Sequence, residues 1–595
     1  MCGIAGIITP NARNYSEELQ KMTNAIAHRG PDAESHEFYD GAALGHRRLS
    51  IIDLSENGKQ PLFSSDKKEC IVLNGEIYGY QDLKKTYNSY TYKGSSDTEV
   101  VLAMYKVLGK NLIHELPGMF AFALWDEEKN ELFCARDRFG EKPFYYAIGK
   151  NGEFIFGSEI KALLASGLIV PEINKEALSH YLQYGYVSTY QSIYKNIIPL
   201  PPAHQLLYKD GKIEVKRYYS IPKNDSVISL SEAKEEFVAL LKTAIKKQLV
   251  ADVEVGSFLS GGLDSSSIVA MVNEFTPKQT TISYGYFGEH SELKFAEEIA
   301  EKFNTRHIEI KENRGEIAHD LLKISNFFDE PFADMSYTPQ YKICEAARKH
   351  LTVVLAGDVG DELFGGYNFY RVENELKNHF SYGNIITKFG LSLYQKIRPT
   401  SFVTQQNLKY KNILDFHQNH VRNYFDADER INLGIGENYH HPYSFTPNPN
   451  SLNDIMRVDL EKYVPGNMLV KSDRMAMANS LEVRTPFLDV DFAEFCIALP
   501  DNLKINTEHD KIILREAMQS YWTESIRNRG KQGFGSEVEN WFKTESLNKL
   551  SDELLKNKNA KVFSTIDFQY AQSLLKKDKK HWNLLQLALW AENNL

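Results

Sequence analysis

The chain has 595 residues, of which 42% are hydrophobic, 25% charged and 12% aromatic, and it carries a net charge of −10. That length is too great for one hydrophobic core, so two or more domains are expected, and the composition excludes a disordered chain. A negative balance without long single-sign runs speaks against nucleic acid as a partner, and no apolar stretch approaches the roughly 18 residues that span a membrane.

The opening "MCGIAGIITP" has no basic segment, and its apolar run stops at Pro10, so it does not read as a secretory signal. Five scattered cysteines, Cys2, Cys70, Cys134, Cys344 and Cys496, include no CxxC pair. They exclude a disulfide framework or zinc ribbon and lead us to expect a cytoplasmic protein. Cys70 and Cys134 stand in apolar, strand-like runs, and buried packing is the reading for all but Cys2.

Residues 1–200 read as short strands separated by Gly, Asn and Asp: "CGIAGII", "GAALGHRRLSII", "CIVLNGEIY", "FAFALWD", "ELFCARD", "FYYAI" and "EFIFGS". Two helices interrupt them, at "SEELQKMTNAIAH" and "DTEVVLAMYKVLG". This grammar predicts an α+β sandwich. A Pro-rich, polar stretch with one hairpin-like "KDGK" follows, and the linker is placed at 201–228.

A helix is expected from Ser229, which forms a capping box with Glu232. Strands "VEVGSFLS", "TTISYGY", "RHIEI" and "TVVLAG" then alternate with helices "SSSIVAMVNEF", "SELKFAEEIAEKF" and "TPQYKICEAARKH". Apolar strands in βα units predict a parallel, doubly wound sheet over 229–595, with a largely helical part beyond about residue 370. The stretch 373–450 remains unassigned; its His440 and His441 read as solvated loop residues rather than metal ligands.

The loop "SFLSGGLDSSS" (257–267) joins a strand to a helix, so its backbone amides converge where an anion is stabilised. A tight turn with glycines for geometry alone is the plainer alternative. No GxxxxGK[ST] occurs, and "SGGLDS" resembles instead the pyrophosphate loop of ATP pyrophosphatases, which form acyl adenylates. Such chemistry needs Mg²⁺ between phosphate oxygens, and hence carboxylates. Asp264 is one; the loop "LAGDVGDELFGGY" (355–367), after another strand, offers Asp358, Asp361 and Glu362 across the same crevice.

Taken together, "MCGIAGI", "HRGPD", "RRLSIID", "LNGEIY", "SDTEV", "SGGLDS", "GDELFGGY", "LVKSDRMAM", "LEVRTPFLD" and "KQGFG" resemble, in the same order, the glutamine-hydrolysing asparagine synthetases. That family couples an N-terminal-nucleophile glutaminase domain, here 1–200, to an ATP pyrophosphatase-type synthetase domain, here 229–595. The resemblance implies that Met1 is removed and that the α-amino group of Cys2, with an intrinsic pKa of about 7.7–8.0, accepts the proton of its own thiol. Asn74 and Gly75 match the oxyanion hole, and Arg48, Asn74, Glu76 and Asp97 the glutamine-binding positions.

In the synthetase half, Leu259, Ser260, Gly261, Gly262, Asp264, Ser265, Ser283, Ala356 and Gly357 match ATP- and pyrophosphate-binding positions, and Asp264 and Asp361 the Mg²⁺ ligands. Asp358 matches an acidic position that assists the ammonia step, where many relatives carry Glu, and Lys531 a lysine that stabilises adenylation. Asn467 in "PGN" stands where relatives often have Asp. The implied substrates are glutamine, aspartate and ATP, and a homodimer is left open.

A rival keeps the mechanism but amidates another carboxylate, on a sugar or secondary metabolite, with "DEPFADMSYTP" (329–339) and 373–450 shaping the pocket. A second rival is a non-catalytic ATP- or glutamine-binding regulator. It is disfavoured because Cys2, Asn74, Asp264, Asp361 and Lys531 all carry groups able to act.

Overall fold

The central strands of the first half are apolar on both faces, because that part of each sheet is covered on both sides. In the computed structural model, which describes residues 1–223, 225–286, 292–312, 317–381, 406, 409–436, 443–506, 508–530 and 538–595, the strands of this half are β1 (Gly3–Ile8), β2 (Ala33–Phe38), β3 (Ala42–Arg48), β4 (Leu62–Phe63), β5 (Glu69–Glu76) and β6 (Met119–Asp126). They continue with β7 (Glu131–Arg136), β8 (Tyr145–Ile148), β9 (Phe154–Gly157), β10 (Ile197–Pro199), β11 (His204–Lys209) and β12 (Lys212–Arg217).

Two six-stranded antiparallel sheets result, in the orders β10-β8-β9-β1-β3-β2 and β12-β11-β7-β6-β5-β4. Ile4 and Ile8 of β1 meet Val72, Ala121 and Phe156 between the sheets. The alternate residues Ala5 and Ile7 face outward onto Leu19 and Met22 of helix α1 (Ser16–Ala25). On the other side Ile71 and Leu73 pack against Val100 and Met104 of α2 (Thr98–Leu108). The expected sandwich is therefore a four-layer α/β/β/α stack, and the expected strands and helices form; β2 is an added edge strand of mixed polarity.

The segment read as a linker differs. β11 and β12 form a hairpin whose turn residues Asp210 and Gly211 have φ of 49° and 73°, as a two-residue primed turn requires. β11 pairs with β7, with Leu206 opposite Cys134, so residues 204–217 extend the sheet edge. The linker reading fails there because a turn flanked by polar edge strands resembles a loop in sequence.

Helix α3 (Leu230–Gln248) begins at the expected Ser229–Glu232 capping box and buries Ala233, Phe237, Leu241 and Ala244. The second half continues with β13 (Val255–Phe258), α4 (Leu263–Phe275), β14 (Thr280–Tyr286), β15 (Arg306–Glu312), α5 (Tyr337–Ala347), β16 (Val353–Leu355) and α6 (Gly360–Phe364). It closes with α7 (Leu469–Met477), β17 (Glu482–Arg484) and α8 (Lys579–Asn594). Its parallel sheet has the order β15-β14-β13-β16-β17. The winding reverses between β13 and β16, which places the loops after them beside one crevice. β17 comes from "LEVR", too short a run to carry readable periodicity.

The halves interlock through shared cores. Trp582 and Trp590 of α8 pack in one cluster with Tyr181, Leu182 and Ile160. A second cluster joins Met1, Leu49, Ile51 and Met119 to Leu259, Val359 and Met477. Among the described residues no helix is long and apolar enough to cross a membrane.

Phe156, with no exposed surface, stacks on Phe144 at 5.5 Å between the sheets. Phe156→Ala is expected to destabilise the first half by about 3–5 kcal/mol, read as a lower urea midpoint; an unchanged midpoint would show that the sheets can close over the loss.

Candidate active sites

Cys2 immediately precedes β1, and Asn74, Gly75 and Glu76 end β5 in the facing sheet. The Cys2 amide N–H donates to Asn74 Oδ1 at 3.0 Å. This fixes the Asn74 side chain with Nδ2 turned away, buried and without a partner among the described residues. Gly75 has φ +145°, and a Cβ there would lie 2.0 Å from the Met119 carbonyl oxygen, so only glycine fits. Cys2 Sγ lies 3.8 Å from the Leu49 carbonyl oxygen. Burial raises the thiol pKa, and the α-ammonium of Met1 opposes that rise.

Around this core stand charges from both halves. The Met1 α-ammonium donates to Glu482 Oε2 at 2.6 Å, and Arg484 Nε donates to Glu482 Oε1 at 2.7 Å. Arg484 Nη2 also lies 3.5 Å from Glu76, whose carboxyl is pushed up by burial and by Glu482. Asp97 caps α2 by accepting from Thr98 N and takes the Ile77 N–H as well, each at 2.8 Å. Arg48 donates to the Ser55 carbonyl at 3.1 Å and to that of Asp53. Cys2, Asn74, Gly75 and Glu76 thus come together directly, while Arg48 is held at the end of β3 and Asp97 at the N-terminus of α2.

The second site is a cavity of about 530 Å³ where the sheet winding reverses, lined by Leu259, Ser260, Gly262, Asp264 and Ser265 of one loop and Ala356, Gly357, Asp358 and Asp361 of the other. Gly261 has φ +69°, and a Cβ on it would come within 2.5 Å of Phe295 Cβ. Gly262 starts α4 with no side-chain cap, which leaves that end suited to an anion. A Cβ on Gly360 would meet Asp264 Oδ1 at 2.5 Å; the missing side chain lets the acidic loop touch the serine loop. Ser283 is not among the cavity-lining residues: its hydroxyl donates to the Leu259 carbonyl and braces the loop from behind.

Asp264 Oδ2 and Asp361 Oδ1 are bridged by Lys511 Nζ at 2.5 and 2.6 Å. Burial works against that ammonium, and the two carboxylates overcome it and raise its pKa. This donor set fits a hard cation, since a positive group already sits between the two oxygens. Asp358 accepts from Ser472 Oγ at 3.1 Å; burial raises its pKa and Lys471 opposes the rise. Glu362 is pushed up to about 7 by burial and by Asp361, though Tyr367 donates to it at 2.8 Å. Asn467 lines the same cavity with its Oδ1 buried and without a partner among the described residues. Lys531, His440 and His441 lie outside the described residues.

Sequence reading missed Lys511, whose "EHDKIILR" context has no distinguishing pattern, and Arg422, which lines the cavity from the unassigned 373–450 stretch. Arg422 Nη2 pairs with Asp459 at 2.7 Å, and its guanidinium carbon stacks 3.5 Å from the Tyr463 ring centre. Asp459 in turn is 3.0 Å from His417 Nε2, whose Nδ1 is 2.8 Å from Glu373.

A four-layer sandwich with a cysteine at the head of its first strand, joined to a doubly wound sheet with a glycine-rich loop at its switch point, defines a two-domain amidotransferase. A family model described as a glutamine amidotransferase domain matches residues 1–219, and one described as asparagine synthase matches 236–592. The glutamine-hydrolysing asparagine synthetase 1 of Bacillus subtilis is 32% identical over 628 residues, covering 100% of this chain and 97% of its own. A putative asparagine synthetase 2 of Methanocaldococcus jannaschii is 41% identical over 63% of this chain and 78% of its own. The amidase chry2 of Gibberella zeae is 26% identical, over 97% of this chain and 94% of its own. The chain belongs to the glutamine-hydrolysing asparagine synthetase family.

Burial alone would lower the pKa of His417, but Asp459 and Glu373 raise it from 6.5 to about 9. A raised histidine contributes stability that is full below the lower value and lost as pH rises through the higher one. The thermal midpoint is expected to fall from pH 6.5 to about 9, and His417→Gln to flatten that fall. An equally steep fall in the variant would show that the imidazole is not charged.

Proposed function

We propose that the protein makes asparagine from aspartate, using glutamine as nitrogen donor and splitting ATP to AMP and pyrophosphate. With Met1 removed, the Cys2 α-amine takes the thiol proton and Sγ attacks the glutamine side-chain amide. The unpartnered Asn74 Nδ2 and the Gly75 amide are the donors for the developing oxyanion. Ammonia leaves, and water releases glutamate from the thioester. Arg48 suits the glutamine carboxylate, and Glu76 and Asp97 its ammonium.

At the second site the loop 259–265 receives the β- and γ-phosphates of ATP while the aspartate β-carboxylate attacks the α-phosphate. Asp264 and Asp361 would hold Mg²⁺, which neutralises the phosphate oxygens when bound. Ammonia then displaces AMP from β-aspartyl-AMP, and Asp358 accepts the proton that it must lose. Lys531 is the candidate for stabilising adenylation. The reading favours aspartate over other acids because synthetases match along the whole chain, whereas the amidase relative is less similar.

The observation that carries this reading is one buried apolar cluster. It contains Leu49, whose carbonyl lies 3.8 Å from Cys2 Sγ, and also Leu259, Leu263 and Val359, which line the second cavity. Apolar surroundings keep ammonia neutral, and so nucleophilic, between the two reactions.

Cys2→Ala is expected to abolish glutamine-dependent asparagine formation and to leave the ammonium-dependent reaction intact; loss of both would refute the two-site scheme. Asp264→Asn should abolish pyrophosphate release with glutaminase activity surviving, and ADP in place of AMP would overturn the assignment of the loop. Pyrophosphate release with a panel of carboxylates tests the acceptor: aspartate failing where another acid works would refute asparagine as product.

A further inference from the structure

Helix α7 carries four consecutive polar residues, Lys471, Ser472, Asp473 and Arg474, all buried with at most 7% exposure. Each makes a buried polar contact outside the helix. Lys471 Nζ donates to Ser336 Oγ at 2.7 Å and Ser472 Oγ to Asp358 at 3.1 Å, both at the synthetase cavity. Arg474 pairs with Glu159 at 2.7 Å and with Asp329 at 3.3 Å. Asp473 takes a fork of two bonds from Arg29, Nη1 to Oδ2 and Nη2 to Oδ1, each at 2.8 Å.

Arg29 has no exposed surface. Its Nη1 also donates to Glu159 at 2.7 Å, and its remaining Nε–H donates to the carbonyl oxygen of Cys2 at 3.1 Å. A guanidinium is planar, so once two carboxylates fix its fork the direction of Nε–H is fixed as well. One of the two carboxylates that orient the donor to the Cys2 main chain thus comes from the second half.

We propose that Asp473 is a positioning residue of the glutaminase: acting through Arg29, it sets the orientation of Cys2 from the synthetase half of the chain. This rests on the reading of Cys2 as the nucleophile. Thiol, α-amine and oxyanion donors must all face one amide, and a displacement of about 1 Å can cost on the order of 100-fold in rate. Asparagine in place of Asp473 preserves shape but presents an N–H₂ to a cation that only donates, so the fork opens and Nε turns from the Cys2 carbonyl.

The test is steady-state kinetics on the full-length Asp473→Asn protein with glutamine and, separately, with ammonium chloride as nitrogen source. Glutamine hydrolysis is expected to fall about 10-fold or more in kcat with little change in KM, while ammonium-dependent asparagine formation stays within about twofold. The double variant Arg29→Gln/Asp473→Asn leaves neither charge of the pair stranded and serves if the single variant does not fold. It should lose no more glutamine turnover than Asp473→Asn does, because both changes break one link. Unchanged glutamine turnover, or equal loss of both reactions, overturns the proposal. Cys2→Ala run in parallel separates the two readings: if it still hydrolyses glutamine, the nucleophile is wrong whatever Asp473 does.

Discussion

Two arginines with no exposed surface, Arg29 and Arg484, hold the halves of this chain in a single register. An unpaired buried guanidinium costs several kcal/mol, so each must find carboxylate or carbonyl partners as the interface closes. Arg29 reaches from the sandwich to Asp473 of the second half. Arg484 reaches back from β17 toward Glu76, while its Nη1 donates to the carbonyls of Gln248 and Val250 at 2.6 and 2.8 Å. Fork geometry makes these contacts directional, and a sliding or tilted interface would strand both charges. The neighbourhood of Cys2 is thus a property of the docked pair rather than of the sandwich alone.

The second site depends on close approach of a different kind. Its two loops leave adjacent parallel strands, and glycine at 357 and 360 removes the side chains that would hold them apart. Asp264 and Asp361 are thereby driven together, a like-charge contact that Lys511 relieves. Burial then raises the pKa of nearby Asp358 and Glu362. The cavity gathers buried cationic and anionic groups, the setting in which charge developing on a phosphate is most affected.

One apolar cluster has members beside both sites. Leu49 on one side and Leu259 and Val359 on the other are buried together by the same docking, because neither half could leave those side chains exposed. Fixing the interface with buried ion pairs and filling it with apolar side chains are complementary: the first sets orientation, the second excludes solvent.

The sequence by itself determined the strands, helices and loop chemistry. Alternating and βα patterns are local, as are the Ser229 capping box and the glycines of "SGGLDS", and the motif order resembled one family. Only the tertiary structure decided that 204–217 closes a sheet edge, that "LEVR" becomes β17, that Ser283 sits behind its loop, and that Lys511 joins Asp264 to Asp361. The same holds for Arg29 and Asp473, which are 444 residues apart in the chain. The reason is physical: periodicity and turn chemistry are set by near neighbours, whereas the pairing of buried charges is set by which surfaces meet, and no local pattern records that.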